Sequence, residues 1–148
     1  KGEYEFLSNF YPCKIEFEGS AYNSVEHGYQ AAKSLDPEYR AKLAQSIPSN
    51  KAKAIGKKAV LHKSWDIIKF KVMEDLLRKK FAHPELAEKL LATGDEELVE
   101  LNWWGDKVWG VCKGVGDNNL GKLLMKIRSE IKNRANEEFV RSVGRSIT

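Results

Sequence analysis

The chain is poor in cysteine, histidine and proline, and it has no long apolar run. Its only cysteines, Cys13 and Cys112, lie in opposite halves of the sequence. Neither a disulfide framework nor a thiolate metal cluster is expected from them, and a reducing compartment fits best. His27, His62 and His83 are equally scattered, without HExxH or paired spacing, so no metal and no cofactor are expected. No unbroken apolar run exceeds three residues, against roughly 20 for a bilayer helix, which argues against a membrane partner. The start, Lys1-Gly2-Glu3-Tyr4, has no apolar signal region; its missing Met points to a trimmed chain, which can hide a removed targeting segment. The expected location is the cytoplasm, or the nucleus if the source is eukaryotic. Charge of one sign is not in great excess either: 25 Lys and Arg against 21 Asp and Glu leave +4, mildly basic and far from a polycation.

What is present suits a globular domain. With 148 residues, 42% apolar and 31% charged, the chain can bury about 68–70% of its unfolded surface. No repeat or Gly/Ser linker divides it, so a single domain over 1–148 is expected, with 134–148 a helical or frayed tail. Ile15-Glu16-Phe17-Glu18 alternates with period two, Gly19-Ser20 offers a turn, and Ala21-Tyr22 begins a return strand. Asn23 or Ser24 is placed to cap a helix running to about Leu35, with Val25, Tyr29 and Ala32 on its apolar side. Asp36-Pro37-Glu38 starts another helix, and Ser49-Asn50 opens a basic segment interrupted by Gly56. Trp65, Ile68, Val72 and Leu76 mark a long amphipathic helix that ends before His83-Pro84; a shorter one runs from Pro84 to Ala92 and stops at Gly94. Leu98–Trp103 and Val108–Cys112 read as a second hairpin around Gly105-Asp106. Leu120, Leu123, Leu124, Ile127 and Ile131 form the last helix after Asp117 and Asn118. The fold class is therefore α+β: compact, mostly helical, with short antiparallel strands.

Four stretches carry chemistry. On a helix, Glu26, Gln30 and Lys33 at i, i+4, i+7 share one stripe at the edge of the apolar one, where burial can perturb both ionisable groups; Asn23-x-x-Glu26 is equally a capping box, and Lys33 an ordinary solvated residue. Trp103, Trp104 and Trp109 offer flat faces for a nucleobase, or are core residues, and Asp106 between them either caps a loop or supplies a carboxylate. Gly114-Val115-Gly116-Asp117-Asn118-Asn119-Leu120-Gly121 either cradles phosphate at a helix N-terminus or is a tight turn; it is not GxGxxG, because the third glycine comes too late. Lys51, Lys53, Lys57 and Lys58 are a solvated face, or steer a polyanion.

Phe6-Leu7-Ser8-Asn9-Phe10, Ser24-Val25-Glu26-His27 with Gln30-Ala31 and Lys33, Trp104-Gly105-Asp106, and Gly114-x-Gly116-x-Asn118-x-Leu120-Gly121 together resemble the NADAR, or YbiA-like, family, in order and spacing over about residues 4–131. The resemblance implies a YbiA-like α+β fold and the cleavage of N-glycosidic bonds. Some members look like hydrolases that remove ADP-ribose from guanine, and others act on phosphoribosylamino-pyrimidine intermediates of riboflavin synthesis; both break a ribose C1′–N bond. Riboflavin-pathway members are often fused to a partner enzyme, so the single domain favours the first. The expectation is thus a metal-independent N-glycosyl hydrolase releasing ADP-ribose from ADP-ribosylated guanine in nucleic acid, single-stranded or flipped out of a duplex. The alternatives are the riboflavin-type glycosidase and a non-catalytic ADP-ribose reader, and a monomer is expected.

By the same resemblance, Lys33 captures C1′ as a Schiff base, Glu26 transfers protons and Asp106 is a reserve acid or base. Gly114 and Gly116 hold the diphosphate, and Trp104 beside Gly105 stacks on a ring. Asn9, Phe10, His27, Gln30 and Asn118 complete the ligand contacts. Two departures from the family pattern stand out. Gly28-Tyr29 replaces the aromatic pair common after the Glu-His, which loosens the expected cleft wall at Gly28, and Lys107–Cys112 is a place where substrate choice can change.

Overall fold

The alternation of Ile15-Glu16-Phe17 becomes β1 (Ile15–Phe17), with Ile15 and Phe17 buried and Glu16 outside. β2 (Ser20–Tyr22) pairs antiparallel to it, Ile15 opposite Tyr22 and Phe17 opposite Ser20. The turn falls one residue earlier than Gly19-Ser20: Glu18 and Gly19 both take positive φ, 47° and 87°, the conformation whose twist matches a tight hairpin.

The computed structural model describes residues 2–147, which form two compact units, Lys1–Leu86 and Ala87–Thr148. In the first, a 3₁₀ turn (Glu5–Leu7) precedes the hairpin and four helices follow it: α1 (Val25–Ala31), α2 (Pro37–Leu43), α3 (Ser49–Lys57) and α4 (Trp65–Lys80). Ser24 caps α1 by accepting from the His27 N–H, so the expected Asn23–Glu26 capping box gives way to a Ser24 cap. α1 stops short of Leu35 because its end tightens into i→i+3 bonds, Lys33 N to Gln30 O (3.3 Å) and Ser34 N to Ala31 O (3.4 Å). Asp36 caps α2 through the Glu38 N–H, with Pro37 at the first helical position. α3 runs through Gly56 without a break. α2, α3 and α4 all pack on α1, so every residue of α1 is buried. Tyr22, Val25, Leu43, Ala52, Met73, Leu76 and Leu77 form the middle of this core.

α5 (Pro84–Ala92) carries the chain into the second unit, followed by β3 (Leu101–Asn102), β4 (Val111–Cys112) and α6 (Asn119–Ile147). β3 and β4 pair in parallel, so the second hairpin expected around Gly105-Asp106 does not form. Side-chain bonds close the intervening loop instead: Asn102 Nδ2 donates to Asp106 O (2.8 Å) and Asn102 Oδ1 accepts from Asp106 N (2.9 Å). The antiparallel expectation thus holds for β1–β2 and fails for β3–β4. α6 absorbs the expected tail as continuous helix up to Ile147; residue 148 lies outside the described residues. Leu120, Leu124 and Ile127 are its buried stripe, and Arg128 donates to Thr93 Oγ1 and Glu96 O at 2.8 Å each. Among the described residues, no helix is long and apolar enough to cross a membrane.

Candidate active site

Six of the expected site residues, Asn9, Phe10, Glu26, His27, Gln30 and Lys33, lie in the first unit. Six others, Trp104, Gly105, Asp106, Gly114, Gly116 and Asn118, lie in the second.

The buried position of α1 changes what its polar stripe means. Glu26 and Gln30 are only 7% and 5% exposed, well inside the protein and not at a rim. A carboxylate so placed needs hydrogen bonds, and Gln30 Nε2 donates to Glu26 Oε2 at 2.6 Å. The other half of that amide is unmatched: Gln30 Oε1 is buried without a partner, beside Gly56. A Cβ at position 56 would stand 1.8 Å from this oxygen, so the glycine makes room for the amide. Leaving such an acceptor unpaired costs about 1–3 kcal/mol, which marks the atom as a place for a donor to arrive.

Lys33, just beyond the end of α1, brings its amine to 3.5 Å from Gly56 O and 5.9 Å from the centre of the Tyr29 ring, which packs on Trp65 at 5.1 Å. Burial pushes its pKa below the ordinary lysine range; Glu26 works against that shift, and Lys53 and Lys69 add to it. A buried carboxylate and a half-buried, softened amine therefore act on each other through space. That pair can move a proton and offer a nucleophile.

The remaining expectations for the first unit resolve differently. His27 has both ring nitrogens engaged: Nε2 donates to Ile47 O and Nδ1 meets Ser24 Oγ, each at 2.6 Å. Because a carbonyl only accepts, Nε2 carries a proton, and the ring ties α1 to the segment before α3. Asn9 holds α1 through its backbone, accepting from Glu26 N at 3.0 Å, while its Oδ1 is buried without a partner. Phe10 is partly exposed and its carbonyl accepts from Ser49 Oγ. Gly28 does not line a cleft; a Cβ there would meet Leu76 Cδ2 at 2.8 Å, so this glycine serves the packing of α1 on α4.

Lys80 is a residue that the sequence reading missed. It is 0% exposed; its amine donates to Ser8 O at 2.8 Å and lies 5.7 and 5.3 Å from the Tyr11 and Phe81 ring centres. Burial lowers its pKa to about 8, with Cys13 opposing. Spacing carried the signal, since Lys80 follows Leu76 at i+4 on the buried stripe of α4.

In the second unit, Asp106 caps its loop: Oδ1 accepts from Val108 N (3.1 Å) and Trp109 N (2.9 Å). Trp104 is half-exposed and meets Trp103 edge-on at 5.7 Å. Gly105 and Gly114 take positive φ, 89° and 79°. At Gly116 a Cβ would stand 2.1 Å from Gly110 O, so this glycine is required by the turn itself. Asn118 uses both ends of its amide internally, accepting from Glu100 N (3.0 Å) and donating to Leu98 O (2.9 Å).

The NADAR domain profile matches residues 1–132. An N-glycosidase of Nostoc punctiforme is 38% identical over 88% of this chain and 87% of its own. A riboflavin biosynthesis protein of Vibrio vulnificus is 35% identical over 93% of this chain but only 38% of its own length. The NMR structure of the Escherichia coli protein YbiA superposes with a TM-score of 0.80 at 36% identity, covering 90% of this chain and 82% of that one. With a matching fold, a matching profile and relatives of this identity, the chain belongs to the NADAR domain family.

Proposed function

We propose that this protein is an N-glycosidase that releases ADP-ribose from an ADP-ribosylated guanine base. The observation that carries the reading is the Lys33 amine, lowered in pKa by burial next to Glu26. The Lys33 ammonium first passes one proton to Glu26; the freed lone pair attacks C1′ as the C1′–N bond breaks, and Glu26 hands that proton to the leaving nitrogen. The C1′–O4′ bond then opens, O4′ gains a proton and the C1′–Nζ bond becomes a Schiff base. Water adds to C1′, the amine departs and the open-chain sugar is released as an aldehyde. Gln30 steadies Glu26 through its amide N–H and keeps Oε1 for a sugar hydroxyl.

The similarity to the Vibrio vulnificus riboflavin biosynthesis protein supports a second substrate, a phosphoribosylamino-pyrimidine, cleaved at the same kind of bond. Both substrates are offered to wild-type protein, with borohydride present, and base release and sugar trapping are followed. ADP-ribose trapped on wild type, and lost in Lys33→Ala with the fold intact, is the expected result. Hydrolysis persisting in Lys33→Ala removes the covalent route, and release from the pyrimidine alone selects the second substrate.

A further inference from the structure

The steps at C1′ leave one buried amine without a role. Lys80, the last residue of α4, is fully buried, and a methionine of similar length would fill its space with no charge to desolvate. Among the described residues its ammonium has one hydrogen-bond acceptor, Ser8 O at 2.8 Å, and no carboxylate pairs with it. The rings of Tyr11 and Phe81, 5.7 and 5.3 Å away, offset only part of the lost hydration. A cation kept under those conditions serves something other than stability.

What the amine holds is the turn at residues 8–11. Ser8 O accepts from both Lys80 Nζ and Tyr11 N, the latter at 3.1 Å, and Ser8 Oγ accepts from Phe10 N at 3.1 Å. Phe6, just before the turn, packs edge-on against Phe81, just after Lys80, at 6.5 Å. One peptide beyond Ser8 O, the Asn9 carbonyl accepts from Glu26 N at 3.0 Å, and so satisfies an amide that the first turn of α1 leaves open. The Asn9 side chain turns to α4 as well: Nδ2 lies 3.7 Å from Met73 Sδ, two turns before Lys80 on the same face. Its Oδ1 is left buried and unpartnered. Asn9 is therefore pinned from both sides, to α4 through Ser8 and to α1 through Glu26, with one acceptor oxygen unused.

We propose that Lys80 is a positioning residue: through Ser8 O it fixes Asn9 against Glu26, so that Asn9 Oδ1 accepts from a hydroxyl of the substrate's sugar. The role rests on the reading in which a ribosyl group is cleaved beside Glu26. Lys80 itself touches no substrate; its effect travels through one backbone carbonyl. That bond needs an N–H donor at the end of a long side chain, which methionine lacks. An unpaired buried acceptor costs about 1–3 kcal/mol until a donor arrives, so a turn that holds Oδ1 in place favours the sugar-bound state.

Three measurements at pH 7 test this on wild type, Lys80→Met, Asn9→Ala and the double variant: thermal unfolding, amide hydrogen exchange, and calorimetry with ribose 5-phosphate and ADP-ribose. Lys80→Met is expected to melt no lower than wild type, because it removes a buried charge. Its Glu26 amide should nonetheless exchange at least tenfold faster, while the other amides of α1 keep their rates. Each single variant should bind the sugar phosphates about tenfold more weakly, and Lys80→Met should cost less than twofold further once Asn9 is alanine, because both losses pass through the same oxygen. An unchanged Glu26 amide overturns the proposal, as do losses that multiply in the double variant, or a wild type that binds neither sugar phosphate. A Lys80→Met chain that melts well below wild type, with every α1 amide exchanging faster, makes Lys80 a core residue alone and overturns it too. Base release in wild type separates the two readings. Release without the selective change at Glu26 removes the role of Lys80 and keeps the glycosidase; the selective change and the shared loss of affinity without release do the reverse.

Discussion

At Lys33 the balance between burial and neighbouring charge sets when the amine is neutral. Burial and the cations Lys53 and Lys69 lower its pKa, and Glu26 raises it. Sugar trapping needs the neutral amine, so the trapping rate should climb with pH along a limb below the ordinary lysine value of about 10.4. Glu26→Gln should move that limb to lower pH, whereas Lys53→Gln or Lys69→Gln should move it to higher pH. Stopped-time borohydride trapping across pH measures all three, and a limb that stays fixed in every variant would detach Lys33 from the chemistry. Lys80 makes a separate prediction about stability. Its folded pKa of about 8 lies below the ordinary 10.5, so between those values the unfolded chain binds more protons and Lys80's contribution to stability rises with pH. Full ionisation below pH 8 costs up to about 3 kcal/mol by the same linkage. Cys13, raised by burial, slopes the other way above its ordinary value of 9.0. Tyr39, pushed up to about 12 by burial, does so above 10. Urea unfolding of wild type and Lys80→Met at pH 7 and 9.5 isolates the lysine: the wild-type gain between the two pH values should shrink in the variant.

At the scale of elements, α1 is the piece on which both fold and site depend. Its burial by three helices turns a periodic stripe of Glu26 and Gln30 into a hydrogen-bonded pair inside the protein. Gly56 on α3 tests this link, because alanine improves helix propensity by about 1 kcal/mol yet its Cβ would collide with Gln30 Oε1. Gly56→Ala should therefore keep its thermal midpoint within a few degrees while kcat falls about tenfold or more, as Gln30 swings off Glu26. Unchanged kcat would mean that the Gln30–Glu26 bond is dispensable. The same elements show what the sequence disclosed. Local signals were legible: the Asp36-Pro37 start of α2, the Pro84–Ala92 helix and the β1–β2 alternation all stand where their residues put them. Glu26 and Gln30 could be picked out as neighbours because they stand four apart on one helix, whereas Lys33 lies past the end of α1 and its burial was not legible. The parallel pairing of β3 with β4 was not legible, since it depends on Asn102 closing its loop on Asp106 through side-chain bonds. Nor were the internal duties of His27 and Asn118, whose partners Ile47 and Leu98 are about twenty residues away in sequence. Gly116 shows the same limit: Gly116→Val would break its turn against Gly110 O, so loss of binding in that variant would report folding and not phosphate contact.

For the whole molecule, under the proposed function the modest +4 charge leads us to expect that a nucleic-acid substrate would be held through its modified base and only loosely by its phosphate backbone, because affinity grows with the number of phosphates neutralised. The structure divides the basic segment accordingly. Lys51, Lys57 and Lys58 are exposed, whereas Lys53 is half-buried and its charge helps to lower the Lys33 pKa. Changing the three exposed lysines to Gln should raise KM for an ADP-ribosylated single strand at low salt and leave kcat within about twofold, an effect that fades as salt screens the backbone. Adding Lys53→Gln to the triple variant should then lower kcat near neutral pH even at high salt, because the Lys33 pKa rises and less of the amine is neutral. A duplex carrying the same modified base should react more slowly than the single strand, since its base must first leave the stack before C1′ can reach Lys33. Initial rates on both substrates over a salt series decide the matter. Equal rates on duplex and single strand, or a triple variant whose kcat collapses while its fold is intact, would put the exposed lysines into the reaction centre and end this division of labour.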